Sequence, residues 1–120
     1  MLKKISFVFL IIIFVVIITS CGSSDIDVWD GSVATSYAGG DGSVEKPYEI
    51  SSGAELAYLS AQVNAGNTYD DTHFILTNDI DLNNLEWMPI GNGSHSFGGM
   101  FDGKEHTLKN LRSFMVNNPL

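Results

Sequence analysis

Phe74-Ile75-Leu76-Thr77-Asn78-Asp79-Ile80-Asp81-Leu82 decides the class of fold. Phe74-Ile75-Leu76 is a short apolar run of strand-forming residues. After the Thr77-Asn78 break, Asp79-Ile80-Asp81-Leu82 alternates, so Ile80 and Leu82 share one face and the aspartates share the other. A period of two is the signature of a half-buried strand.

The period upstream is different. Leu56, Leu59 and Val63 fall at i, i+3 and i+7 on one stripe with Ala57 beside it, which predicts a helix over residues 53–64. Ser52 and Glu55 form a capping box at its start, their side chains satisfying helix-start amides reciprocally. Asn64-Ala65-Gly66-Asn67 stops it, with Gly66 suited to a left-handed position after the last turn. Before the helix, Pro47-Tyr48-Glu49-Ile50 reads as a short extended segment, because proline biases the residue before it away from helix.

Downstream, Trp87-Met88-Pro89-Ile90-Gly91, Phe97-Gly98-Gly99-Met100-Phe101-Asp102-Gly103 and His106-Thr107-Leu108-Lys109-Asn110-Leu111 read as further short strands divided by Gly, Asn and Asp turns. The reading is therefore mainly β with one capping helix. Residues 21–40, rich in Gly, Ser and Asp, read as a tether with one short edge strand near Trp29.

The N-terminus has a separate character. Lys3 and Lys4 precede an apolar run over residues 5–18 that is interrupted only by Ser6. Such a run falls short of the about 20 residues a membrane span needs and suits an export signal over residues 1–20. About 100 residues then remain, enough for one small domain. The 44% apolar content of the 120-residue chain is inflated by this leader, so no large core is expected. The formal net charge is −8, and loss of Lys3 and Lys4 makes it two units more negative. A chain this acidic has no basic stripe to neutralise phosphates, which excludes nucleic acid as a partner.

Ile18-Thr19-Ser20-Cys21 followed by Gly22-Ser23-Ser24 resembles the lipobox of bacterial lipoproteins. The resemblance implies cleavage before Cys21, lipidation of Cys21, and a protein held on membrane lipid at the outer membrane or cell surface. Two or more acyl chains would make that anchoring stable, where one would be marginal. An uncleaved helical anchor, or a leader cut elsewhere, is the alternative. Cys21 is also the one cysteine of the chain, so a disulfide framework within it is excluded.

Asp41-Gly42-Ser43, Lys46-Pro47-Tyr48-Glu49-Ile50, the helix with Val63-Asn64-Ala65-Gly66, the Phe74 to Leu82 stretch, Trp87-Met88-Pro89-Ile90-Gly91 and the Phe97 to Leu111 blocks together resemble the start of a GLUG-motif domain. The resemblance spans residues 29–112. It implies the N-terminal portion of a right-handed parallel β-helix of the pectin-lyase-like kind, with residues 41–112 forming its cap and first coils. In that family further coils follow, so a fragment is expected, with residues 113–120 a truncated or disordered tail. Isolated solenoid coils cannot bury their apolar faces and generally need about three repeats plus caps.

No chemical constellation stands out. Asp79, Asp81 and Asn83 match positions 1, 3 and 5 of a calcium loop, but Asn84 replaces its sharp-turn glycine and Ile90 its bidentate glutamate. His73, His95 and His106 lack metal-motif spacing. Elimination chemistry on polysaccharides needs a cation or basic cluster, whereas Lys46, Lys104, Lys109 and Arg112 are scattered. No catalytic residue, cofactor or metal site is therefore expected.

Trp29, Tyr37, Tyr48, Tyr58, Tyr69 and Trp87 could stack on sugar rings. Most are expected in the core or cap, which leaves Trp29 and Tyr69 as candidates. The lipobox and GLUG resemblances imply two functional expectations, beside a third in which the chain is a truncated gene remnant with no function. One is a lipid-anchored, non-catalytic adhesive, scaffold or glycan-binding module that meets glycans or host matrix proteins. The other is the N-terminal region of a surface enzyme, a polysaccharide-degrading β-helix or an immunoglobulin-cleaving metallopeptidase, with its catalytic part elsewhere.

Overall fold

The computed structural model describes residues 26–113. The proposed leader, the Cys21 lipidation site and residues 114–120 of the expected tail lie outside them. The described chain is mainly β with one helix, as the periodicities predicted. Its elements are β1 (Asp27–Val28), β2 (Tyr48–Ile50), α1 (Gly53–Asn64), β3 (His73–Leu76), β4 (Ile80–Asp81), β5 (Glu86–Trp87), β6 (Met100–Asp102), β7 (Leu108–Lys109) and β8 (Arg112–Ser113).

The strands are too short to be stable alone, and they pair side by side in parallel. Their order is β1-β4-β7 in one sheet, β2-β3-β6 in a second and β5-β8 in a third. Phe74 of β3 lies between Tyr48 and Phe101, and Ile80 of β4 lies between Asp27 and Leu108. Parallel pairing requires a long crossover between partners. Here α1 lies within the crossover from β2 to β3, and each of the other crossovers runs through strands of the neighbouring sheets.

The helix has the predicted bounds, and local chemistry explains both ends. Ser52 is the N-cap, and its hydroxyl accepts from the Glu55 N–H at 3.2 Å. The reciprocal bond differs from the expected box: Glu55 Oε1 accepts from the Ser51 N–H at 2.8 Å rather than from the cap residue's own amide. A further acceptor comes from outside the helix, where Asp27 Oδ2 takes the Gly53 N–H at 2.8 Å. A carboxylate there also complements the positive end of the helix dipole. At the other end Gly66 has φ +111°, its N–H donates to Val63 O, and the Asn67 N–H donates to Gln62 O. This is a Schellman closure, and the positive φ explains the glycine.

The core lies between the helix stripe and the inward faces of the strands. Leu56, Leu59 and Val63 pack with Ile50, Phe74, Leu76, Ile80, Leu82, Trp29 and Trp87. The rings of Trp29 and Trp87 meet edge to face at 5.4 Å. Trp29 also covers the start of α1: a β-carbon on Gly53 would stand 2.5 Å from the Trp29 side chain.

Three sequence expectations need correction. The tether does not extend to residue 40: β1 pairs with β4, Trp29 is 6% exposed, the Ala34 N–H bonds Ala54 O, and the Ala38 N–H bonds Glu49 O. Tertiary packing holds this polar segment, which its composition could not reveal. Met88-Pro89-Ile90-Gly91 is not strand beyond Trp87, because helix side chains take its polar groups. Ser60 Oγ donates to Met88 O at 2.8 Å, Asn64 Nδ2 to Pro89 O at 2.9 Å, and the Gly91 N–H to Asn64 Oδ1 at 3.0 Å. Ser113, expected in the tail, is instead in β8 and pairs with Trp87.

The contact of Gly53 with Trp29 gives a direct test. Alanine favours a helix interior over glycine by up to about 1 kcal/mol, but overpacking costs about 1–3 kcal/mol. Gly53→Ala should therefore lower the thermal midpoint, because the atoms it would meet, Trp29 Cβ, Cγ and Cδ1, lie close to the backbone and cannot swing away. An unchanged or higher midpoint for Gly53→Ala would contradict the close packing.

Candidate functional site

The second sheet and the helix bring four tyrosines to one side of the molecule. Tyr48 starts β2, Tyr58 lies on α1 beside the buried stripe, Tyr69 belongs to the loop after the helix, and Tyr37 lies in the segment before β2. Tyr37 is the hub. Its ring lies 4.7 Å from Tyr48, 5.1 Å from Tyr58, 6.4 Å from Tyr69 and 5.4 Å from Phe74. Such tilted and edge-to-face pairs each contribute about 0.5–1.5 kcal/mol beyond the area they bury.

Their polar ends are ordered as well. The Tyr37 hydroxyl donates to the Tyr69 hydroxyl at 2.9 Å. Burial raises the pKa of Tyr37 far above the ordinary phenol value, with the Tyr69 bond adding to it. Burial also raises that of Tyr69. Both therefore remain neutral donors. Together with Tyr48, Tyr58, Gln62 and Asn67 they line a cleft of about 400 Å³. Tyr69 thus lines this cleft; Trp29 is core beside a separate, smaller opening, and its indole N–H is taken by Ser32 O at 2.8 Å. The signal missed in the sequence is the i, i+4 pair Tyr58 and Gln62, which share one helix face.

The aspartates suggested by the calcium pattern have a different use. Asp79 Oδ1 accepts from the Thr107 N–H and meets His106 Nδ1, both at 3.0 Å. Asp81 Oδ1 accepts from the Asn83 N–H and from Asn110 Nδ2, both at 2.8 Å. They tie β4 to the strand alongside it and pin left-handed corners at Asn83 and Asn110. Among the described residues no group of three or more His, Cys, Asp or Glu is gathered closely enough to hold a metal ion. His73, His95 and His106 do not converge on one another.

An apolar cavity of about 290 Å³ opens on the opposite part of the core, between Leu59, Leu82 and Trp87 and the outer residues Phe101, Leu108 and Leu111. Register shows why it is open. Phe74 and Ile80 are 1% and 0% exposed, while Phe101 and Leu108, which pair with them, are 38% and 41% exposed.

No protein-family model matches the chain. No solved structure matches it. It is similar to a protein of Evansella cellulosilytica whose name reads "Putative Gly-rich membrane protein", with 32% identity over 117 residues. The alignment takes in 91% of this chain and 12% of that relative, so the chain spans about an eighth of its length. Among the described residues no helix is long and apolar enough to cross a membrane.

The aspartate ladder makes stability depend on acid. The Thr107 amide, then His106, holds Asp79 below the ordinary value of 3.8. Asn110, then the Asn83 amide, does the same for Asp81, and the Lys104 amide for Asp102. A depressed folded-state pKa contributes stability that is present above the unfolded value and lost as pH falls through the folded one. The thermal midpoint should thus decline as pH drops below about 4, and Asp79→Asn with Asp81→Asn should flatten that decline while lowering the midpoint at neutral pH. An acid profile identical in the double variant and the wild type would contradict the assignment.

Proposed function

We propose that this chain is a lipid-anchored bacterial surface protein whose described residues form the capped end of a right-handed parallel β-helix, acting as a non-catalytic adhesive or scaffold module. The observation that supports the architecture is parallel pairing at 26–28 positions in four strand pairs, with β1 and β4 53 apart, about twice that. Asp79 binds the Thr107 amide 28 positions on, and the Thr77 hydroxyl binds Ile50 O 27 positions back, which supports circuits laid one on another. Parallel crossovers within one sheet are right-handed in nearly all proteins. The GLUG resemblance of residues 41–111 supports the same reading, and it rests on the sequence blocks.

The two ends of the stack are unlike. One side is closed by α1 and Trp29, and the other exposes Phe101, Leu108 and Leu111. An apolar outer coil favours continuation by further coils, and a relative some eight times longer than the matched region is consistent with that. The same relative carries "membrane protein" in its name, in keeping with anchoring through Cys21.

A second reading shares the anchor and the cap but gives the continuing chain a catalytic part, either a β-helix that degrades polysaccharides or a surface metallopeptidase. Most of the relative lies outside the alignment, which leaves room for such a part.

The anchor is tested by expressing the wild type and Cys21→Ala in a bacterial host with labelled palmitate and fractionating the cells. The wild type should carry label and partition with detergent-soluble membrane. The variant should carry none and lose that partitioning. Equal partitioning of both would overturn the lipid anchor.

A further inference from the structure

We propose that the tyrosine cleft binds an uncharged oligosaccharide; this rests on the non-catalytic surface reading above and gives it a ligand. The cleft differs in kind from the other openings of the molecule. The apolar cavity is bounded by core side chains and the outer coil, and it shares no lining residue with the tyrosine cleft. Stacking of further coils on the outer strands would therefore leave the cleft open.

Size, surface and charge each narrow the ligand. A volume of about 400 Å³ lies within the ~300–1,000 Å³ of small-molecule sites and suits one or two sugar rings. Tyrosine supplies a broad, rigid, amphipathic surface at low cost in side-chain entropy, the combination that matches the C–H face and hydroxyl rim of a pyranose. The polar groups are free to serve it. The hydroxyls of Tyr48 and Tyr58 and the amide of Gln62 have no hydrogen-bond partner among the described residues. Asn67 uses its Oδ1 for the Tyr69 N–H and keeps its NH₂. Because Tyr37 donates to Tyr69, the Tyr69 hydroxyl hydrogen is directed elsewhere.

No cation lines the cleft. The charge the structure places at its rim is negative, since the Glu49 carboxylate lies against Gly39. A uronate, sulfated sugar or phosphate would meet repulsion there, so the favoured ligand is neutral.

The test titrates the full chain, in a zwitterionic detergent without a sugar headgroup, with maltoheptaose, cellohexaose and mannohexaose, and with hexagalacturonate as the anionic counterpart. Calorimetry and tyrosine chemical shifts are the readouts. At least one neutral oligosaccharide should saturate, with shifts at Tyr48, Tyr58 and Tyr69, and hexagalacturonate should bind at least about tenfold more weakly. Tyr58→Ala should weaken neutral-sugar binding about tenfold, and Gln62→Ala, a half-exposed helix substitution that leaves the core intact, should weaken it as well. Absence of saturation by all three neutral sugars, equal affinity for hexagalacturonate, or unchanged affinity in Gln62→Ala would overturn the proposal. Sugar failure in a chain that still fractionates with membrane removes the cleft alone. Binding by a chain that does not fractionate removes the anchor and leaves the cleft.

Discussion

The hydrogen bonds that join His73–Leu76 to Tyr48–Ile50 on one side and to Met100–Asp102 on the other are the constraint from which the remaining contacts follow. Strands of two to four residues bury too little surface to persist alone, and their backbone groups need partners once the faces are covered. Because the partners lie in parallel, a long stretch of chain must be laid down before a strand meets its partner. The register fixes which side chains stand beside one another. Tyr48, Phe74 and Phe101 form one column, and Asp27, Ile80 and Leu108 form another.

The helix follows from the same constraint. The inward faces of the strands are apolar, and α1 packs Leu56, Leu59 and Val63 against them. Its polar side chains then take over tasks that strands perform elsewhere. Ser60 is buried, yet both carbonyls it bonds belong to the Met88-Pro89 loop, so that the loop needs no neighbouring strand. Asp27 closes the opposite relation by accepting the first helical amide from within a strand.

How much of this was legible depended on range. The ends of α1 could be read because the Ser52 and Glu55 cap and the Gly66 reversal act within a few residues of the backbone they satisfy. The inward faces of Ile80 and Leu82 were likewise written in the alternation. What could not be read was contact across a circuit. Trp29 looked like an isolated aromatic in a polar run because Gly53 and Trp87, which bury it, lie far along the chain. Met88-Pro89-Ile90 looked like a strand because its true partners are two polar side chains on the helix. For the cleft, Tyr69 was visible as a candidate, but the convergence of Tyr37, Tyr48 and Tyr58 arises only when the chain closes on itself.

The placement of β1 bears on the order of assembly. Its partner β4 lies beyond the helix and β3, and the Asn83 side chain reaches Trp29 O across 54 positions. Closing so long a loop carries an entropic cost that nearer pairings avoid. The helix with β2 and β3 is thus the natural nucleus, and β1 docks late. During synthesis β1 would wait for residues made much later while the remainder condenses.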